Sequence, residues 1–174
     1  MKRTLLTAIL LLGLPAVGGP KTIEILDGFE SGLGRWKASG SGISLVTEGC
    51  RGSGKCVLIE RINSRDMSVI TRQFTPPSPG RMTLTAYVKA SNVSVGEKYY
   101  ERGKFIVALV EDGRECCWRD NDFDGTLTSW TRRKIVVNDV TPSTPLILRI
   151  GLQYAKGQVF VDDVKVEFEP YANS

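Results

Sequence analysis

The chain has 174 residues, of which 41% are hydrophobic, 24% charged and 8% aromatic, the balance of a soluble globular protein rather than a disordered or fibrous one. Its histidine count is zero, which excludes Ser-His-Asp and Cys-His nucleophilic catalysis, His-ligated zinc or copper, and imidazole proton shuttles. The formal charge of +4 falls to +2 once Lys2 and Arg3 are removed with the leader described next (4 − 2), too little and too scattered for nucleic-acid binding.

Residues 1–18 read as a cleaved signal peptide. Lys2 and Arg3 form its basic start, Leu5 to Leu14 its apolar run, and Ala16 and Gly18 the small residues that a signal peptidase reads. The apolar run is well short of the ~20 residues of a bilayer span, so no membrane span is expected. The expected location is secreted, extracellular or periplasmic, with residues 19–174 forming one domain. Four cysteines fit an oxidising compartment. Cys50 and Cys56 bracket a loop, CRGSGKC, whose two glycines let the chain turn back, and they are the preferred bridge. Adjacent Cys116 and Cys117 would make a strained bridge, because their Cα atoms sit ~3.8 Å apart against the ~4.4–6.8 Å of an unstrained disulfide. Their pairing stays open, and no CxxC zinc or redox motif is present.

Beyond the leader, short runs with period-two alternation are separated by Gly, Pro, Ser, Asn and Asp clusters, and no helix-period stretch of useful length appears. Strands are expected near 22–26, 43–47, 55–60, 67–74, 81–89, 103–110, 115–119, 130–138, 145–154 and 158–168, with TPPSPG (75–80) as the clearest break. So many strands cannot bury their apolar faces in one flat sheet, so the expected fold is all-β, a two-sheet antiparallel β-sandwich of jelly-roll type. Alternation puts Leu84, Ala86 and Val88 on a core face and Arg81, Thr83, Thr85, Tyr87 and Lys89 on the other. Leu146, Leu148, Ile150 and Leu152 form a second core stripe, leaving Arg149, Gly151 and Gln153 outward. The run FIVALV (105–110) reads as a central strand. In the last strand Phe160, Asp162, Val164, Val166 and Phe168 share one parity, which places Asp162 in an apolar stripe where an unpaired carboxylate would cost several kcal/mol. The dense basic run Arg132, Arg133 and Lys134 reads as a solvated strand edge.

Two ends of the chain, Asp27-Gly-Phe-Glu-Ser-Gly-Leu-Gly-Arg-Trp36 and Gly157-Gln-Val-Phe-Val-Asp-Asp-Val164, together with Gly52-Ser-Gly-Lys-Cys-Val57 and Gly125-Thr-Leu-Thr-Ser-Trp130, resemble the galactose-binding-like jelly rolls of carbohydrate-binding modules, the group containing families four, nine and twenty-two. The resemblance implies a structural Ca2+ between the chain ends, held by Glu30, the main chain around Lys55, and Asp162. Calcium takes six to eight hard oxygen ligands and tolerates irregular geometry. The other reading is an Asp162 satisfied by backbone N–H groups or an arginine.

The resemblance also implies a polysaccharide or oligosaccharide ligand on the outward face of one sheet, stacked on aromatic rings. The candidates are Tyr87, Arg149 and Gln153 on that face, with Tyr99, Tyr100, Trp118 and Phe123 in flanking loops. The stretch from Arg61 to Met67, where related modules often place a stacking tryptophan, holds no aromatic residue. Trp36 and Trp130 are expected in or against the core. A glycosidase would need paired carboxylates across a cleft. Glu111, Asp112, Glu115, Asp120, Asp122 and Asp124 crowd instead into one region that reads as a solvated or calcium-binding loop. Non-catalytic glycan binding is therefore the expected function, with a carbohydrate-active enzyme or surface complex as a possible partner. The alternatives are an interaction module without a glycan ligand, or a carboxylate-dependent enzyme.

Overall fold

Eleven strands, most with alternating apolar residues, build two antiparallel sheets in a computed structural model that describes residues 22–52 and 54–171. The leader read at 1–18 lies outside the described residues. The strands are β1 (Ile23–Asp27), β2 (Lys37–Ser39), β3 (Ile43–Val46), β4 (Cys56–Arg61), β5 (Met67–Phe74), β6 (Gly80–Val93), β7 (Arg102–Glu111), β8 (Arg114–Asp120), β9 (Gly125–Val140), β10 (Leu146–Gln153) and β11 (Gly157–Pro170). One sheet has the order β3-β4-β11-β6-β9, with β1 also paired to β11; the other has the order β2-β5-β10-β7-β8. Among the described residues there is no helix. The all-β sandwich expected from the sequence is the fold observed.

The two inward stripes meet as read. Leu146, Leu148, Ile150 and Leu152 of β10 are fully buried opposite Leu84, Ala86 and Val88 of β6, and with Phe105, Val107, Val159 and Val161 they form one hydrophobic core. Burying each such side chain contributes roughly 1.5–3 kcal/mol. The FIVALV strand β7 lies inside its sheet between β10 and β8. Trp36 is buried against Phe29 and Phe74, with its indole N–H donating to Asp27 Oδ2 at 3.2 Å.

Three side chains lie elsewhere than expected. Phe123, read as a loop aromatic, is buried, because its main chain bonds to Gly103 and its ring fills the space that a side chain at Gly103 would need. Trp130 is only half-buried and stands outside the core cluster, with the Lys89 ammonium 5.8 Å from its ring. Asp162 does not share the core parity. Val159 and Val161 point inward, a bulge with one extra residue falls between Asp162 and Lys165, and inward pointing resumes at Val164. Asp163 takes the left-handed conformation at this bulge, φ 46°. The apparent stripe thus joins two faces. Asp162 lies opposite Tyr87 on the outward side and is 5% exposed because the loop between β3 and β4 covers it.

The start of β1 pairs with the end of β11, Ile23 opposite Phe168. The two ends of the described chain therefore lie side by side.

Candidate functional site

Hairpin geometry carries the most exposed tryptophan to the surface. β7 and β8 are joined by Asp112-Gly113, both with positive φ (50° and 74°), the dihedrals of a tight primed turn. Farther along, Cys116 lies opposite Leu109 and Arg119 opposite Val107, so Cys117 and Trp118 together face Ala108 in a second bulge, with Cys117 at φ 53°. Cys116 and Arg119 keep the inward parity of their partners, and the extra residue turns Trp118 and Asp120 outward. Trp118 is 46% exposed.

On that face a cleft of about 220 Å³ is lined by Tyr99, Tyr100, Lys104, Ile106, Trp118, Asp120 and Gln153. Tyr99 and Tyr100 come from the loop between β6 and β7, which is closed by Gly96 N–H to Glu101 O at 2.8 Å and Glu101 N–H to Lys98 O at 2.9 Å. Their rings meet edge to face at 5.4 Å, and Tyr99 is 81% exposed. Tyr154, which the sequence reading missed, extends this aromatic run, its ring 6.3 Å from that of Tyr100. Its position just past β10 in a Gly-bounded turn was the signal available.

Beneath these rings Lys104 is buried at 3% exposure and paired with Asp122, whose carboxylate also accepts the Phe105 N–H at 3.3 Å. Burial pushes the Asp122 carboxyl above its ordinary range, opposed by the Lys104 ammonium. The ion pair is consumed within the protein, leaving Asp120, Gln153 and the tyrosine hydroxyls to meet a ligand. Arg149 stands beside the cleft. Its guanidinium forms a two-point pair with Glu115, with Nη1 to Oε2 at 2.7 Å, and lies 5.6 Å from the Trp118 ring. Arg149 therefore braces the indole, with two of its five N–H donors taken by Glu115. Asp124 pairs with Arg102 at 3.7 Å.

Four of the seven expected ligand residues thus line one cleft, a fifth supports it, and Phe123 is buried in the core. Tyr87 does not join them. It belongs to β6, which pairs with β11 and β9, whereas Arg149 and Gln153 belong to β10 in the opposite sheet. The Arg51 guanidinium also covers the Tyr87 ring at 3.6 Å. Other, roomier hollows carry less chemistry. One of about 420 Å³ at the β1 and β5 edge is lined largely by Ile23, Phe74, Pro76 and Phe168, and one of about 580 Å³ lies between Tyr154 and the loops at 62–65 and 94–97. Neither holds a comparable set of exposed rings, although Tyr154 joins the second to the aromatic run.

The expected calcium residues converge on the other sheet. Cys50 and Cys56 are bridged, as expected, with Cα atoms 5.4 Å apart, and the loop they close lies over Asp162. Asp162 Oδ2 accepts the Arg51 N–H at 3.1 Å and Oδ1 its neighbour's N–H at 2.8 Å, while Glu30 Oε2 accepts the Lys55 N–H at 3.0 Å. Burial raises the Asp162 carboxyl, and the charges of Asp163 and Glu30 raise it further against those two N–H donors. Each carboxylate oxygen keeps a free lone pair, and a side chain at Gly54 would collide with the Glu30 carboxylate. Hard oxygen donors whose mutual repulsion a cation would relieve fit calcium. What Lys55 supplies here is an N–H donor to Glu30. Cys116 and Cys117 are free thiols.

The fold is similar to solved carbohydrate-binding modules. Over 90% of this chain and 100% of the other it matches the CBM22-1 xylan-binding domain of Paenibacillus barcinonensis Xyn10C, with a TM-score of 0.62 and 13% identity. It also matches the CBM22-1–GH10 modules of Clostridium thermocellum xylanase Xyn10B complexed with xylohexaose (TM-score 0.57, 13% identity, 82% of this chain and 28% of that one). A third match is TmCBM61 in complex with beta-1,4-galactotriose (TM-score 0.50, 14% identity, 84% and 94%). No protein-family model and no curated protein matches the sequence. The chain has the galactose-binding-like jelly-roll fold that these modules share.

Proposed function

We propose that the protein is an extracellular carbohydrate-binding module that retains a polysaccharide or oligosaccharide without cleaving it. The observation that carries this reading is the convergence of Trp118, Tyr99 and Tyr100 around the polar floor of one cleft. A pyranose ring offers an apolar face of C–H groups that stacks on an indole or phenol, and a rim of hydroxyls that bonds to carboxylate and amide oxygens. Trp118 supplies the platform, Asp120 and Gln153 the acceptors and donors, and Arg149 holds the platform against Glu115. The buried Lys104–Asp122 pair keeps the floor neutral, suiting an uncharged glycan over an acidic one. The Cys50–Cys56 bridge supports an oxidising compartment.

Glu30 and Asp162 would hold a structural Ca2+, which would neutralise their charges and tie the loop between β1 and β2 to β11. Chelation is then expected to lower the melting temperature, because the ion binds the folded state alone. An unchanged melting curve in excess chelator removes calcium from the account.

Retention on insoluble polysaccharides, measured beside release of reducing sugar from the same substrates, tests the main reading. Retention without release is expected. Trp118→Ala is expected to weaken retention by roughly 1–3 kcal/mol, the scale of ring-stacking contacts elsewhere, with little change in melting temperature, while Tyr87→Ala on the opposite sheet leaves retention unchanged. Retention untouched by Trp118→Ala would defeat the cleft as the site.

A further inference from the structure

At the end of the β7–β8 hairpin, the Cys116 and Cys117 sulfurs and a Glu111 carboxylate oxygen lie within 4.8 Å of one another. We propose that these three residues form a metal site for a soft or borderline divalent cation of the zinc class, with water in the fourth position. The site is separate from the cleft and does not rest on the glycan reading.

Donor chemistry selects the ion. Two thiolates favour zinc or cadmium over calcium and magnesium, and the carboxylate completes a set in which no imidazole is needed. In a tetrahedral site with Zn–S of ~2.3 Å and Zn–O of ~2.1 Å, neighbouring ligand atoms stand about 3.6–3.8 Å apart. Small side-chain rotations therefore bring the present cluster to bonding geometry. The backbone is already set, because the Asp112-Gly113 turn and the Cys117 bulge fix where the three side chains leave the hairpin. Glu111 and Cys117 are exposed and Cys116 is half-buried, so an ion has a path in. On binding, each thiol releases its proton to solvent as its sulfur bonds to the metal, and three anionic ligands leave the site with one net negative charge. Arg114, directly opposite Glu111 in the hairpin register, offsets it.

Disulfide chemistry offers these thiols only a strained alternative inside the chain. Cys50 and Cys56 are joined to each other. Adjacent residues at ~3.8 Å fall short of the Cα separation that an unstrained bridge prefers. Two accessible thiols in a chain that also carries a disulfide call for something that protects them, and a bound soft cation does so. The ion would also pin the bulge that turns Trp118 outward, so its arrival should be visible in Trp118 fluorescence.

The test uses the purified full chain with its thiols mapped by mass spectrometry as secreted, then titrated with Cd2+ and with Zn2+ in competition. Expected are free or metal-bound thiols, one cadmium per chain, thiolate-to-cadmium absorption in the ultraviolet, and displacement of that absorption by zinc. Cys116→Ser and Cys117→Ser should each weaken binding by at least ~10-fold, the lower end of what even outer-shell changes cost at metal sites. Glu111→Gln should weaken it with the sulfur absorption retained, and Glu169→Gln, a surface carboxylate paired with Arg81 outside both proposed sites, should leave it unchanged. Metal-free melting curves matching the parent protein exclude misfolding of the serine variants. Absence of the absorption at one equivalent overturns the proposal. So does a secreted protein in which Cys116 and Cys117 are bridged, to each other or to another chain.

Discussion

The Trp118 ring is braced by Arg149, whose guanidinium is clamped by Glu115 and set against the indole. The pair is partly exposed, so its own contribution to stability is small. Its weight should fall on binding: Glu115→Gln is expected to weaken glycan retention by about 0.5–1 kcal/mol, less than loss of the indole, at nearly constant melting temperature. Affinity electrophoresis beside thermal unfolding measures both. Asp162 makes an opposite case, in which electrostatics acts on folding. Burial raises its carboxyl pKa above the unfolded value of about 3.9, so the folded state holds the proton to higher pH than the unfolded chain does. Its favourable contribution is complete below the unfolded pKa and is lost as pH rises through the folded pKa. In chelator, melting temperature should therefore fall over that window in the parent protein and fall less in Asp162→Asn. Asp122, shifted upward by burial as well, acts with the same sign in both proteins, so their difference isolates Asp162. A parallel decline in the two would refute the assignment.

Period-two alternation identified the buried stripes of β6 and β10 residue by residue, and it failed where the backbone turned left-handed. A bulge adds one residue and reverses every face beyond it. At Asp163 this merged two faces into one apparent stripe and placed Asp162 wrongly; at Cys117 it decided that Trp118 faces outward, which alternation alone left open. An Asp-Asp pair tolerates φ above zero and hinted at the first bulge, but Cys-Cys gave no such hint. The three-residue β2 and the exposed first half of β9 escaped the reading because neither has an apolar face to alternate. The β3–β4 loop was legible through its cysteines. Replacing both Cys50 and Cys56 by serine should cost about 2 kcal/mol, the chain-entropy figure for so short a loop. Urea unfolding of the reduced double variant against the bridged parent gives the value, and an equal midpoint would show that the loop is held by its hydrogen bonds alone.

Across the whole molecule, sandwich architecture followed from strand number and patterning, whereas the partition of strands between sheets did not. A stripe records which side of a strand is buried, never which neighbour it pairs with. Tyr87 and Arg149 both point outward as read, but from opposite sheets, since β6 lies between β11 and β9 and β10 lies between β5 and β7. The cleft survived that error because its rings come from the β6–β7 loop and the β7–β8 hairpin, both of which adjoin β7. The antiparallel meeting of β1 with β11 has a consequence of its own. Ile23 and Phe168 sit near Phe74, which pairs with the first residue of β10, while Gln153 of the cleft is the last. Seven residues at ~3.3 Å each separate these levels by about 23 Å along the strand. Both ends of the described chain therefore share one pole, whereas the cleft runs along the outer face of the other sheet, from Trp118 at the level of Ala108 and Ile147 to Gln153 at the far pole. A neighbouring domain joined at either terminus would leave the Gln153 end of the cleft unobstructed, and one flexible tether would concentrate that neighbour near a ligand bound there. Joining the two ends by a short linker and reopening the polypeptide at an exposed turn should yield a circular permutant that still folds and binds.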